Sequence, residues 1–67
     1  SRISYKDQAH FSQLSFSSLM EVACQLSIAA ELGILPYETY QSLRQDVEAI
    51  SRKINALRNS QLKSLKG

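Results

Sequence analysis

Between Phe11 and Leu35 the apolar positions keep a helical period but spread too far round the wheel for an ordinary surface helix. At 100° per residue, Phe11, Leu14, Leu19, Val22, Leu26, Ile28, Ala29, Ala30 and Leu32 cover roughly 200° of arc, and Phe16 and Ala23 widen it. A surface helix shows a stripe nearer ~100° wide, so this segment predicts a central helix covered on more than one side. The next pattern is narrower. Tyr40, Leu43, Val47, Ile50, Ile54 and Leu57 alternate by three and four, and Gln61 and Leu65 continue the row less regularly. That seam of period 3.5, with polar residues elsewhere, predicts a peripheral helix packed along one edge. Leu19, Val22, Leu26, Ile50 and Ile54 are the expected core of the assembled bundle.

The boundaries follow from capping chemistry. Ser4 can cap the first helix, with Asp7 three residues on as an acid in the first turn, in the manner of a capping box. The helix should stop near Leu32, with Gly33 in the left-handed position beyond the end and Ile34 making the apolar contact that follows such a cap. Pro36 fits the first position of the second helix, where its missing N–H costs nothing. No Ser, Thr, Asp or Asn precedes Pro36 directly, so that start is weakly capped.

A connection of about three residues forces the helices antiparallel. The chain therefore reads as all-α, one unit over residues 1–67: a helix from about 4 to 32, a turn at 33–36 and a helix from about 37 to 65. A hairpin covers only one side of its first helix, and a large apolar face left open signals a missing partner. This predicts half of an up-down four-helix bundle, completed either by a second hairpin or by a preceding half of the natural chain. A first residue of Ser rather than Met fits a piece of something longer, whose C-terminal half this would be.

Length and chemistry narrow the function classes. At 67 residues a lone core is marginal, the single Cys24 excludes an internal disulfide, and no Cys/His cluster offers a structural metal. No signal peptide is expected, since no short apolar core follows the N-terminal charges, and Glu21 and Glu31 interrupt the richest apolar stretch, so no membrane span is expected. These features predict a reducing, cytoplasmic setting. The net charge of +2 conceals an asymmetry. Residues 1–50 hold three bases against six acids, net −3, whereas residues 51–67 hold five bases and no acid.

Candidate chemistry is sparse. Glu21 and Gln25 lie one turn apart among Leu14, Ile28 and Leu32, which predicts a partly buried polar pair that fixes register against a basic residue of a neighbouring helix. Bundle metal sites need several carboxylates and a Glu-x-x-His pair, which this chain lacks. His10 has no Ser, Asp or Cys at a triad spacing, and Cys24 has no cation beside it to stabilise a thiolate. Two glycines, Gly33 and Gly67, cannot build a phosphate loop. No enzyme, cofactor or small-molecule substrate is expected. Arg52, Lys63 and Lys66 fall within about 60° of each other on the second helix and are the candidate nucleic-acid contact, whereas Arg58 and Lys53 point elsewhere. A solvated face whose cations complement the helix dipole is the competing account, because Tyr37 and Tyr40 sit at the far end of that helix and leave no base-stacking aromatic nearby.

Taken in order, Ser17-Ser18-Leu19, Glu21, Gln25-Leu26 and Leu32-Gly33-Ile34-Leu35, continued by Tyr40, Leu43 and Ile54-Asn55-Ala56-Leu57, resemble the third and fourth helices of the four-helix-bundle proteins encoded in intervening sequences of bacterial 23S rRNA genes. The resemblance runs from about Arg2 to Leu65. It departs where Ser17 stands for the usual Gly and Pro36 for a capping Ser, and that family's first two helices have no counterpart here. It implies an up-down bundle that assembles into a homo-oligomer, often a pentameric ring. A related branch, the accessory variability proteins of diversity-generating retroelements, binds nucleic acid and a reverse transcriptase. RNA or such an enzyme is thus the implied partner, and a purely structural oligomerisation module is the competing class.

Overall fold

A computed structural model describes residues 4–66, the last of these in its backbone only. Two helices form an antiparallel hairpin about 48 Å long and 18 Å across, α1 over Tyr5–Glu31 and α2 over Tyr37–Lys66. The described residues contain no strand.

Local chemistry sets the ends where the capping residues stand. Ser4 is extended (φ −70°, ψ 161°), its carbonyl accepts from the Gln8 N–H at 2.9 Å, and its Oγ accepts from the Asp7 N–H at 3.1 Å. This fills one of the donors that a helix start leaves unsatisfied. At the other end Gly33 adopts φ +75°, its N–H donates to the Ala30 carbonyl at 3.1 Å, and the Ile34 N–H reaches back to Ala29 at 3.0 Å. That pair of bonds is a Schellman motif, and the positive φ is one that a side chain with a Cβ resists. Two details differ from expectation. Ile34 remains 75% exposed, so the apolar contact beyond the cap is absent from the hairpin. Pro36 lies one residue before α2, its carbonyl accepting from the Tyr40 N–H at 3.0 Å, and so occupies the cap instead of the first turn.

The interface between the helices is thin. Ala9, Ser12, Phe16, Leu19, Met20, Ala23, Leu26 and Ala30 of α1 are buried or half-buried, as are Tyr40, Val47, Ser51, Ile54, Arg58, Gln61 and Leu62 of α2. The only buried hydrophobic among the described residues is an alanine, Ala9, while eleven large apolar or aromatic side chains stay exposed. Leu19, Leu26 and Ile54 are half-buried as the periodicity requires, but Val22 and Ile50 are 46% and 47% exposed. The reason is helix phase. The face α2 turns to α1 runs through Tyr40, Val47, Ser51 and Arg58, rotated by roughly 40–60° from the centre of its apolar row. Ile50 and Leu57 are thereby left on one flank beside Val22 and Phe11 of α1, and the hairpin leaves these two of its six apolar seam residues exposed.

Candidate nucleic-acid interface

Antiparallel packing gives the hairpin two chemically distinct ends. The turn end, residues 19–49, carries Glu21, Glu31, Glu38, Asp46 and Glu48 against Arg44 alone, a charge of −4. The open end, residues 4–18 and 50–66, carries Lys6, Arg52, Lys53, Arg58, Lys63 and Lys66 against Asp7, a charge of +5. The one salt bridge among the described residues, Arg44 Nε to Glu48 Oε1 at 3.2 Å, is an exposed i,i+4 pair at the turn end. No carboxylate of the described residues offsets the cations at the open end in this way.

Arg52 and Lys63 are exposed on the outer face of α2, three turns and about 16 Å apart at 1.5 Å per residue. The side chain of Lys66 lies outside the described residues. Arg58, which the helical wheel turned away from that strip, instead faces α1 half-buried. It lines a cleft of about 300 Å³ with Lys6, Ala9, His10, Gln13, Leu62 and Leu65.

The expectation that the basic segment lacks neighbouring aromatic side chains is corrected by the topology. Reading along the second helix places Tyr37 and Tyr40 far away, and in the hairpin these two rings lie tilted against each other at the turn end with centroids 6.1 Å apart. The aromatics at the basic end come from the other helix. Tyr5 and Phe11 of α1 are 53% and 57% exposed, and the His10 ring lies 6.4 Å from Phe11 in a tilted arrangement. Aromatic spacing within one helix could not reveal this, because the pairing across the hairpin joins residues about fifty positions apart.

Glu21 and Gln25 are exposed on the side of α1 turned away from α2, on the same face as Leu14, Ile28 and Leu32. The buried polar contact lies elsewhere. Ser12 Oγ donates to Gln61 Oε1 at 2.9 Å inside the interface, and Gln61 Nε2 reaches Gln8 Oε1 at 3.5 Å. Gln61 already stood out as the polar member of the α2 seam, but nothing along the chain singles out Ser12 as its partner. No described buried side-chain polar atom lacks a hydrogen bond.

Cys24 is exposed, and no group of three His, Cys, Asp or Glu side chains comes together among the described residues. No described helix is long and apolar enough to cross a membrane. The sequence model of the family described as 23S rRNA-intervening sequence protein matches residues 1–56. No curated protein matches the chain, and no solved structure does.

Proposed function

Because this chain belongs to the 23S rRNA-intervening sequence protein family, matched over residues 1–56, we propose that it is a non-catalytic, self-associating helical-bundle protein that binds RNA through the open end of the hairpin. The observation that carries this reading is the exposed Tyr5 at the acid-poor basic end. Cations that follow a phosphate backbone and aromatics that stack unpaired bases are the two elements of sequence-tolerant RNA binding. Association is supported by the open apolar flank of Phe11, Val22, Ile50 and Leu57, a patch that water-exposed monomers rarely keep. A ring of subunits would repeat the basic end as a band. In such an assembly Glu21 and Gln25 meet a basic residue of a neighbouring helix.

Fluorescence anisotropy with a structured RNA bearing single-stranded loops, at about 50 and 200 mM salt, tests the reading, since each phosphate contact steepens the salt dependence. Replacing Arg52, Lys63 and Lys66 together by Gln is expected to weaken binding and flatten its salt slope. Tyr5→Leu is expected to lower affinity by about 5- to 150-fold, the equivalent of ~1–3 kcal/mol for one stacked base. Arg44→Gln, at the turn end, should leave binding unchanged. The competing reading, a purely structural oligomerisation module, is favoured by the apolar flank taken alone. It is the better account if wild-type protein shows no salt-dependent RNA binding.

A further inference from the structure

We propose that Lys6, His10, Gln13 and Arg58 form a seat for a single phosphate group at the open end of the hairpin. On the RNA reading above, on which this inference rests, that group is a backbone phosphodiester. Lys6 and His10 are four residues apart and so stand one above the other on the same face of α1, and Arg58 faces them across the cleft from α2. The cleft is open to solvent, measures about 300 Å³ and has Ala9, Leu62 and Leu65 as its apolar lining.

Three features select an oxyanion over other occupants. Every polar side chain lining the cleft carries N–H donors: an ammonium, a guanidinium, an imidazole and a carboxamide. No carboxylate lines it; Asp7, the one acid at this end, projects from α1 about 100° from Lys6 and about 60° from His10. Arg58 is half-buried against the apolar lining with no salt bridge and no hydrogen-bond partner among the described residues. Its guanidinium carries no competing ion pair, and phosphate oxygens fit that planar fork bidentately. The seat is distinct from the Arg52 and Lys63 strip, which faces outward from α2 and is exposed.

The test uses the whole chain in two arms. In the first, inorganic phosphate is titrated against sodium chloride of matched ionic strength while backbone amide shifts are followed. Shifts at residues 6–13 and 58–62 that saturate with phosphate and vanish in Arg58→Gln support the seat. Equal responses to phosphate and chloride overturn it, whatever the chain does with RNA. In the second arm, Arg58→Gln is expected to lower RNA affinity at least tenfold and to reduce the salt slope by about 0.7, the loss of one single-strand phosphate contact. Because Arg58 also packs against α1, the exposed double variant Lys6→Gln/His10→Gln is measured beside it, with helicity checked by circular dichroism. Unchanged RNA affinity in both folded variants, while wild type binds, overturns the backbone assignment and leaves the RNA reading intact. A phosphate response without any RNA binding by wild type keeps the seat, assigns it to free phosphate groups and removes the RNA reading.

Discussion

Ser12→Ala removes one hydroxyl from the interface, yet the cost falls mainly on its partner. The Gln61 Oε1 that accepts from Ser12 at 2.9 Å is buried, and without that donor it keeps no hydrogen bond among the described contacts. A net hydrogen bond contributes about 1 kcal/mol, and leaving a buried acceptor unsatisfied costs about 1–3 kcal/mol. Ser12→Ala should therefore destabilise by about 1–3 kcal/mol, a large effect for an otherwise conservative change. In the double variant Ser12→Ala/Gln61→Leu the buried acceptor is removed together with its donor, only the long 3.5 Å contact to the part-buried Gln8 Oε1 is lost, and the α2 seam becomes apolar, so stability should return close to the wild-type value or exceed it. Urea unfolding of the wild type, Ser12→Ala, Gln61→Leu and the double variant at one matched concentration, which holds the contribution of mass action fixed, gives the coupling energy. By thermal unfolding, each 1 kcal/mol corresponds to a Tm change of about 4–8 °C for a domain of this size. A Ser12→Ala effect below about 0.5 kcal/mol, the range of surface sites, would mean that water reaches Gln61 and the pair contributes nothing to the interface. A double variant less stable than Ser12→Ala alone would refute the argument from orphaned acceptors.

Two further outcomes are expected. Gly33→Ala should destabilise by about 1–2 kcal/mol through the left-handed backbone alone, since a Cβ at φ +75° meets nothing within 4 Å; a neutral result in urea unfolding would show that the turn relaxes to another conformation. Val22→Asp and Ile50→Asp place carboxylates on the open apolar flank and should each shift sedimentation towards monomer; a wild-type chain that sediments as a cooperatively folded monomer at micromolar concentration would refute the need for a partner.

What the sequence reveals here depends on how local the determining physics is. Ser4 and Gly33 are visible in the chain because each cap is decided within a few residues of itself, by a side-chain oxygen in one case and a missing Cβ in the other. The helical hairpin follows as directly from two apolar periods joined by a short connection. Side-chain placement across the hairpin is a different matter. Wheel angles give the phase of each helix, but which part of a broad apolar arc faces the partner depends on packing, and so Val22 and Ile50 lie on the flank instead of in the interface. The same limit hides which side chains share the open end: Arg58 lines one cleft with Lys6 and His10, and Tyr5 and Phe11 come to the basic end, only once the two helices are laid side by side. Pro36 shows the smallest error of this type, one residue, which the hydrogen bond from Tyr40 to its carbonyl resolves.

The Gly33 turn also orders the sequence of events by which the hairpin closes. Contacts beside the turn join residues a few positions apart, so the helices can zip together from there with little loop entropy lost at each step. Ser12 and Gln61, 49 residues apart, are among the last to meet and so among the first to part when the hairpin frays. The polar pair therefore acts as a latch at the end that a zipper would leave loosest, and sliding either helix by one residue, about 1.5 Å, would unmake it. Whatever ligand bridges Lys6 on one helix and Arg58 on the other clamps the same end shut, so binding there and helix pairing draw on a single local equilibrium.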